Sequence, residues 1–378
     1  MPMNTLRCSR RVRHPCHYGR HFSSQALQYD RNTPQDEGQL SSPKVTVTQN
    51  VAGIDSNNSS AFIHTNEASN ELVDNLLERT QQMMDMSAAN VVAFSGGVDS
   101  SLVAALVHKS FHSHSHNNNT GSVQAVLGIS NAVPQTQIEM ARNVANTIGI
   151  QLREVTTQEG NDEAYIKNDG HACFVCKTHL YSTLETVANA VMKEQEESKG
   201  VNGATNNNSV ILYNGTNADD TRDPTRLGLV AASNFRVHSP LDHITKDQVR
   251  QASKYLGLPN WNAAASPCLR SRLAMGVEAT ERHLKAVEKA EEFVRRVLVL
   301  DETRNVRVRM LSGGKAMVEL DQLNGHDLSS VLREHGFEEL CTEEWGFKSF
   351  GGVRGFKTGS VAAMPAEKKE LISKMASL

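Results

Sequence analysis

The sequence predicts an α/β protein with a parallel sheet flanked by helices, followed by a smaller C-terminal α+β domain. From about residue 67, short apolar runs alternate with amphipathic helical patterns, the rhythm of β-α-β units with parallel strands. Beyond Thr280 the pattern changes to a long helix and then two strands joined by Gly313 and Gly314. With 378 residues, 39% of them hydrophobic, the chain is long enough for two such domains.

The first 29 residues differ in composition from the rest of the chain. They contain five arginines, no lysine and no acidic residue. This composition is typical of an organelle transit peptide and favours a mitochondrial over a plastid destination, and the alternative is a disordered basic tail. Residues 30–66 are expected to form a disordered linker. The whole chain has 39 basic and 42 acidic residues, so removing five arginines leaves it clearly acidic, which argues against a nucleic-acid partner.

Apolar length and cysteine usage narrow the class of protein further. No apolar stretch approaches the roughly 18 residues that a membrane-spanning helix needs, so we expect a soluble protein without a membrane partner. Four of the six cysteines lie beyond the first 29 residues, too few for a disulfide framework in a chain of this size. They indicate a reducing compartment and a metal-binding or catalytic use.

Apolar periodicity and capping residues place the elements of the first domain, expected over 67–265. A helix with an apolar stripe leads into the first strand, and a later helix over 138–148 ends at Gly149, a typical C-cap. Thr245 and Gln248 form a capping box that begins another helix. The predicted strands of this domain are 91–94, 122–129, 152–155 and 210–213.

A glycine-rich turn joins the first strand to the next helix. Gly96 and Gly97 can adopt positive φ, and the free N–H groups at the start of the helix attract phosphate. A Walker loop would need Gly-Lys-Ser or Gly-Lys-Thr, which the sequence lacks, so the turn suits the pyrophosphate half of ATP. The alternative is a plain strand-to-helix connection. The turn resembles the PP-loop of the ATP pyrophosphatase superfamily through Ser95, Gly96, Gly97, Val98, Asp99, Ser100 and Ser101.

Three cysteines form a candidate metal or sulfur site. Cys173 and Cys176 are a Cys-x-x-Cys pair, and Cys268 lies far downstream. Such a set could ligate three irons of a four-iron cluster and leave one iron open. A zinc site, a redox pair and plain buried thiols are the alternatives, although a structural zinc site wants a fourth ligand that is not evident. Cys268 is also a candidate nucleophile, because Arg270 and Arg272 beside it favour the thiolate.

Each of four further charged residues has more than one possible role. Asp219, after the fourth strand, could hold Mg²⁺ beside ATP phosphates, or it could cap the next helix. Arg307 and Arg309 alternate with apolar residues, which predicts either a clamp for phosphate or carboxylate or a solvated strand face. Glu291 interrupts the apolar stripe of its helix and is a candidate general base, a partner for the arginine pair, or a partly exposed edge residue.

These motifs, in this order, resemble the LarE family of ATP-dependent sulfur transferases of nickel-pincer nucleotide synthesis. The resemblance runs from roughly residue 71 to residue 320, with a weaker continuation over 355–360. One departure concerns the first cysteine, where the family usually has a preceding arginine and this chain has Ala172, which puts a local charge there in doubt. The most specific segments are 95–101, 173–177, 215–220, 239–241, 267–272 and 307–309.

The resemblance implies an enzyme that uses ATP with Mg²⁺ to adenylate a carboxylate of a pyridinium dicarboxylate mononucleotide. It releases pyrophosphate, and sulfur attack on the activated carbonyl yields a thiocarboxylate. Family members with one cysteine at the position of Cys268 give up that sulfur. Members that also carry the Cys-x-x-Cys pair hold a four-iron (4Fe-4S) cluster and pass on an extra sulfide. All three cysteines are present here, so the resemblance implies the cluster version, with sulfide or a sulfur donor as partner.

The resemblance also assigns residues. Cys268 would be catalytic, the three cysteines would hold the iron, and Glu291, the candidate catalytic base from the helix pattern, would lie near the substrate. The C-terminal domain, 266–378, would bind substrate and form a homo-oligomer. Residues 95–101 and Asp219 would bind ATP and Mg²⁺. The substrate phosphate or carboxylate would be held by Ser271, Arg272, Arg307 and Arg309.

Three other functions are compatible with parts of this pattern. A tRNA-thiolating PP-loop enzyme would need a basic RNA-binding face, which an acidic chain does not favour. A catalytically silent iron-sulfur or zinc scaffold would bind nucleotide without releasing pyrophosphate. Ammonia-dependent amidation, as in NAD synthetase, has no use for three cysteines.

Overall fold

The structure of the protein is a computed structural model. It describes residues 56–113, 120–198, 209–222, 227–323, 325 and 327–357. The expected transit peptide (1–29) and residues 30–55 of the expected linker lie outside the described residues. Among the helices of the described ranges, none combines the length and the apolar character needed to cross a membrane.

The first part of the chain follows the predicted alternation of helices and strands. Helix α1 begins at Ser56, inside the range expected to be linker, because no proline or glycine lies between Ser56 and the buried Val73 to end it. The elements are α1 (Ser56–Gln82), β1 (Ala89–Phe94), α2 (Val98–Ser113), β2 (Ser122–Ile129), α3 (Gln135–Ile148), β3 (Leu152–Thr156), α4 (Glu163–Ile166), α5 (Ala172–Ser198), β4 (Val210–Tyr213), α6 (Ala218–Thr221), α7 (Leu227–Ser233) and α8 (Lys246–Tyr255).

Strands β1 to β4 form one parallel sheet in the order β3-β2-β1-β4. Alternate residues of β1 enter two different cores: Val92 packs with α1, α2, α3 and α8, and Val91 packs with α5 and α7. A strand buried on both faces reads as a continuous apolar run, as β1 does. The predicted fold class is confirmed, and the carboxyl ends of the strands point toward the loops that carry the candidate ATP site.

The second part of the chain contains a long helix and a three-stranded sheet. Strands β5 and β6 pair antiparallel through the predicted glycine turn, and β6 pairs in parallel with β7, a strand that the sequence analysis missed. The elements are α9 (Glu281–Val297), β5 (Val306–Leu311), β6 (Lys315–Leu320), α10 (Leu328–Glu334), α11 (Phe337–Glu339) and β7 (Ser349–Gly355).

One apolar cluster joins the two parts of the chain. It contains Tyr165 of α4 and Ala172 of α5 together with residues of α9 and of the three-stranded sheet. Cys176 and Cys268 are partly buried against this same cluster. The expected domain boundary between residues 265 and 266 stays a prediction, but the shared core fixes the start of α5, which carries two cysteines, beside the segment that carries the third.

Candidate active site

The turn between β1 and α2 has room for glycine alone at its first glycine position. Gly96 has φ +68°, and a Cβ there would lie 2.6 Å from the Cα of Ala141 in α3. Any L side chain would therefore be strained and would also collide with backbone. Gly97 differs, because its φ is not positive and a Cβ there would approach only Ser95 Oγ, at 3.4 Å.

Side chains bond to both carbonyl and N–H groups of this turn, and the Gly97 N–H donates to Ser95 Oγ at 3.4 Å. Ser100 Oγ accepts from the Ser95 N–H at 3.2 Å and donates to the Gly97 carbonyl at 3.1 Å. Asn260 Nδ2 donates to the Gly96 carbonyl at 2.7 Å and to Ser101 Oγ at 3.0 Å. Because α2 begins at Val98, directly after the glycines, its amino terminus lies at this turn.

The loop after β4 packs against the first turn of α2. A Cβ on Gly215 would lie 2.7 Å from the backbone nitrogen of Ser100, so this approach also requires glycine. Asn217 caps α6 and donates to Asp99 Oδ1 at 3.0 Å. Asp219 Oδ2 accepts from the Lys246 N–H at 2.8 Å, while its Oδ1 pairs with Arg222 at 2.9 Å. Asp99 and Asp219 therefore lie at the same edge of the sheet.

A lysine reaches this site from outside the loop. The Lys246 ammonium group forms an ion pair with Asp99 Oδ2, and both side chains are partly buried. The sequence analysis missed Lys246, although the capping box at Thr245 already placed it as the first residue of α8. The turn lacks the lysine of a Walker loop, but Lys246 of α8 brings a lysine to the same site.

The three predicted cysteines lie near one another and are called the thiol centre below. Cys173 and Cys176 occupy the first turns of α5, and Cys268 precedes a short 3-10 turn over 269–272. Burial, followed by the nearby Cys268 and Glu159, raises the pKa of Cys176 to about 12. Among the residues that the structure describes, no set of three or more His, Cys, Asp or Glu side chains is arranged to hold a metal ion.

Arg270 supplies the positive charge at the thiol centre. Its Nη2 donates to Cys173 Sγ at 3.0 Å, its side chain also hydrogen-bonds Cys268, and its Nη1 donates to Asn168 Oδ1 at 2.7 Å. Ala172 stands where the family usually has an arginine. In this chain the positive charge beside Cys173 comes instead from Arg270, on the segment that carries Cys268. Arg270 is far from the cysteine pair in the sequence, so periodicity within α5 gives no sign of it.

Glu291 is an ion-pair residue buried beside Arg272. Its Oε1 accepts from Arg272 Nε at 2.9 Å and from the Val308 N–H at 3.0 Å, and its Oε2 accepts from Arg272 Nη2 at 3.1 Å. Burial acts to raise the pKa of Glu291, but Arg272 and the other donors hold it below its ordinary value. The partly exposed edge position is therefore wrong, and the partner of Glu291 is Arg272 rather than the strand arginines. Its role as a general base stays a prediction, with both oxygens already occupied.

Arg272, Arg307 and Arg309 form a buried group, called the arginine cluster below. Arg307 and Arg309 are 3% and 5% exposed, so the solvated strand face is excluded. Arg309 Nε donates to Glu319 Oε2 at 2.8 Å and its Nη1 to the Ser271 carbonyl at 2.9 Å. Glu319 also accepts two hydrogen bonds from Arg354.

Arg307 bonds to backbone carbonyls and, in the part of the chain that the structure describes, forms no ion pair with a carboxylate. It donates to the carbonyls of Val306, at 2.6 Å, and Ala265, and its guanidinium lies over the Phe356 ring. Burial, and then the charge of Arg272, lowers the pKa of Arg307 to about 10. A buried cation held by carbonyls is suited to a further anion.

The arginine cluster and the thiol centre share one loop. Arg272 Nη1 donates to the carbonyls of Pro267 and, at 3.0 Å, of Cys268, and to Ser271 Oγ at 3.3 Å. The same segment begins at Asn260, which contacts the glycine turn. The loop over 260–272 therefore contacts the glycine turn at its start and carries Cys268 and Arg272 at its end. Residues that the sequence analysis missed are Gln137, Glu159, Tyr165, Lys246, Asn260, Glu319 and Arg354.

Sequence comparisons show which known proteins this chain is similar to. The family model "tRNA methyl transferase HUP domain" matches residues 89–169. The chain is 33% identical over 228 residues to the uncharacterized protein slr1717 of Synechocystis sp., covering 60% of this chain and 76% of that protein. It is 26% identical over 267 residues to the pyridinium-3,5-bisthiocarboxylic acid mononucleotide synthase of Lactiplantibacillus plantarum, covering 68% of this chain and 86% of that protein.

Among solved structures, NMN synthetase from Francisella tularensis covers 53% of this chain and 75% of its own, with a TM-score of 0.35 and 18% identity. That likeness is too low to carry an argument. The two alignments cover most of the length of each relative, and the family model covers the glycine turn. The chain belongs to the LarE-type family of PP-loop proteins.

Proposed function

We propose that this protein is an ATP-dependent, adenylating sulfur transferase that acts on a pyridinium dicarboxylate mononucleotide. A substrate carboxylate attacks the α-phosphate of ATP, which releases pyrophosphate and leaves an acyl adenylate. A sulfur nucleophile then adds to the carbonyl carbon, AMP leaves, and a thiocarboxylate remains. The observation that carries the proposal is the loop over 260–272, which contacts the glycine turn and carries Cys268 and Arg272.

The ATP end of the site has the charges that nucleotide binding requires. The N–H groups of the glycine turn and the amino terminus of α2 face the pyrophosphate half of ATP. Asp99 and Asp219 are the carboxylates that would hold Mg²⁺, which would neutralise phosphate charge. When ATP enters, Lys246 exchanges its bond to Asp99 for a phosphate oxygen, and this frees the Asp99 carboxylate.

The arginine cluster is suited to the anionic groups of the substrate. Arg309 and Arg272 already neutralise Glu319 and Glu291, which fixes their guanidinium planes. Arg307 keeps its charge for the ligand, and Ser271 lies between Arg272 and Arg309. A phosphate or carboxylate there would complete the hydrogen bonding of Arg307.

The thiol centre has the number and type of donors that a four-iron cluster uses, and iron binding would have to rearrange them, since the described side chains form no metal site as they stand. Three thiols from two segments lie near one another, with Arg270 beside two of them to balance negative charge. Cys176 carries its proton at neutral pH, so iron binding there must displace that proton. Bound iron would present sulfur to the acyl adenylate, and Cys268 would hold it at the shared loop.

Pyrophosphate release tests the ATP half of this proposal. The full-length protein is incubated with ATP, Mg²⁺, a sulfur source and pyridinium carboxylate nucleotides, and products are analysed by mass spectrometry. Asp99→Ala should suppress substrate-dependent pyrophosphate release, whereas Asp74→Ala, at an exposed position on α1, should not. Unchanged release in Asp99→Ala would return the glycine turn to a plain strand-to-helix connection.

Iron content tests the sulfur half. We expect anaerobically reconstituted protein to show iron-sulfur absorbance that Cys173→Ala, Cys176→Ala and Cys268→Ala each abolish. Cys341→Ala is the matched control, because Cys341 is fully buried in the core of the second sheet. Full iron loading in Cys268→Ala would remove that cysteine from the ligand set.

Location and assembly complete the proposal. The arginine-rich residues 1–29 are proposed to direct the protein to mitochondria, and a fluorescent fusion of this segment would show its destination. The family resemblance supports a homo-oligomer, which light scattering of the purified protein tests.

A further inference from the structure

A pair of histidines lies near the end of α2 that is farther from the glycine turn. His108 and His112 are four residues apart, so their side chains lie on the same face of the helix, one turn from each other. Their ring centroids are 4.4 Å apart, and the ring planes meet at 62°. Measured along the helix axis, the pair is about 15–21 Å from Val98, where α2 leaves the turn. The pair is therefore separate from the candidate active site.

The ring of His108 is held by the residue that follows α3. The Gly149 backbone forms a hydrogen bond with this ring. Because the Gly149 N–H already donates to the carbonyls of Ala145 and Asn146, the group that meets the ring is the Gly149 carbonyl, and a ring nitrogen donates to it. A neutral imidazole that donates from one nitrogen keeps a lone pair on the other. Proteins orient metal-binding histidines in this way.

His112 is the exposed member of the pair and lies in the last turn of α2. Its ring also meets the Phe111 ring edge-on, with centroids 5.5 Å apart. The last carbonyl groups of a helix carry partial negative charge, which favours a cation beside them. Because His112 is exposed, solvent reaches the pair from this side, and water can fill the other positions around a bound ion.

The spacing of the two rings fits a shared metal ion. Metal–imidazole bonds are about 2.1 Å long, which puts each ring centroid about 3.2 Å from the ion. Two such rings at about 90° have centroids about 4.5 Å apart, near the observed 4.4 Å, whereas a tetrahedral angle would put them about 5.2 Å apart. Of the divalent ions that imidazole binds, Ni²⁺ and Cu²⁺ favour angles near 90°. An edge-to-face ring pair without metal is the alternative.

We propose that His108 and His112 form a binding site for a divalent transition-metal ion that takes ligands at about 90°, Ni²⁺ or Cu²⁺, with water in its remaining positions. Each imidazole donates a lone pair and displaces one water from the ion, so no oxidant or reductant is needed. The site does not depend on the proposed function, because it uses no residue of the glycine turn, the thiol centre or the arginine cluster.

Titration with Ni²⁺ tests this site, since Ni²⁺ does not oxidise thiols as Cu²⁺ does. Untagged full-length protein and its variants are titrated with nickel chloride by calorimetry at neutral pH. His112→Phe keeps an aromatic ring beside His108 but removes the nitrogen ligand. We expect it to weaken Ni²⁺ binding at this site about tenfold or more, because two ligands on one helix hold the ion better than one. The cysteines are unchanged in every variant, so metal that they hold cancels in the comparison.

The matched control exchanges two neighbouring residues. His112→Ser combined with Ser113→His keeps the composition and moves the imidazole by about 100° around the helix, so it should bind Ni²⁺ as weakly as His112→Phe. Equal binding by the wild type and His112→Phe would overturn the metal site and leave a ring pair only. Wild-type affinity in the exchange variant would overturn it too, because the ion would then be held by other histidines, such as His114 and His116.

A second replacement guards against a folding defect. His112→Gln places a polar side chain at this exposed position and should lose the same Ni²⁺ binding as His112→Phe. Circular dichroism and pyrophosphate release should match those of the wild type in both variants, since His112 lies outside the candidate active site. Retained Ni²⁺ affinity in a folded His112→Gln protein would reject the pair as a chelating site.

Discussion

The glycine turn and the arginine cluster are held in place by different means. The turn is fixed by short side chains bonded to its carbonyls and by backbone contacts that leave no room for a Cβ. The arginine cluster is fixed by long charged side chains that are buried and paired with carboxylates. An ATP site of backbone groups costs little desolvation, whereas Arg272 and Arg309 depend on keeping their carboxylate partners.

The largest effect should come from leaving a buried charge alone. Arg272→Met leaves Glu291 buried without its cation, which we expect to lower the free energy of unfolding by about 3–5 kcal/mol. Denaturant titration measures this change. Arg333→Met is the control, since it removes a half-exposed pair with Glu338 and should cost less than about 1 kcal/mol. Equal losses in the two variants would show that the cluster is not held by buried charge.

The same pair predicts an acid limit to stability. The native pKa of Glu291 is depressed, so its ionised form stabilises the fold above its unfolded-state pKa, and this contribution is lost as pH falls through the native value. Glu291→Gln should therefore lose less stability than the wild type between neutral pH and the acid range below about 4. Parallel curves for the two proteins would contradict this.

Substitutions in the glycine turn should change the rate of pyrophosphate release. Gly96→Ala places a Cβ against the Ala141 backbone at a positive φ, and displacement of the turn by about 1 Å should lower pyrophosphate release about hundredfold. Gly97→Ala has room for its methyl group and should lose far less. A similar loss in both variants would mean that packing at Ala141 does not control the turn.

Lys246→Met tests whether the lysine of α8 replaces the one missing from the turn. We expect the KM for ATP to rise and kcat/KM to fall about tenfold, the effect of about 1.4 kcal/mol. Stability should change by less than about 1 kcal/mol, because the Asp99 pair is only partly buried. Lys254→Met, on the same helix beside Trp261, is the control and should leave kcat/KM unchanged.

The smallest expected effect has the opposite sign. The lowered pKa of Arg307 means that its charged form is less favourable in the fold than in the unfolded chain. Arg307→Met should therefore raise stability by about 1 kcal/mol at neutral pH while it abolishes substrate binding. For the wild type, this group should stop opposing folding as pH rises above about 10. Thermal unfolding with and without inorganic phosphate measures both effects, and a less stable variant would refute the idea.

Short sequence patterns were enough to predict the turn and the helix caps that depend on neighbouring residues. The glycine turn, the C-cap at Gly149 (φ +80°) and the capping box of Thr245 and Gln248 are all present, because each depends on residues a few positions apart. The place of Glu291 in an apolar stripe left burial and an exposed edge position open, and it did not identify Arg272 as the partner. Periodicity predicts the face of a helix on which a residue lies. Which of several nearby arginines pairs with Glu291 depends on tertiary packing.

Contacts between distant residues could not be predicted in the same way. Lys246 is 147 residues from Asp99, and Asn260 is 164 residues from Gly96. Strand β7 pairs in parallel with β6. Parallel strands are not joined by a tight hairpin turn, so no turn motif in the sequence predicts this pairing. No sequence motif singles out Tyr165 or Glu159, and only the fold shows that they lie near Cys176.

Strand β7 also limits how the protein can be shortened for experiments. It covers the edge of β6 and brings Arg354 to Glu319, whose side chain is completely buried. A clone that stops before Ser349 would leave an open strand edge, which invites pairing between chains and aggregation. Expression of this enzyme in a trimmed form should therefore end no earlier than residue 355.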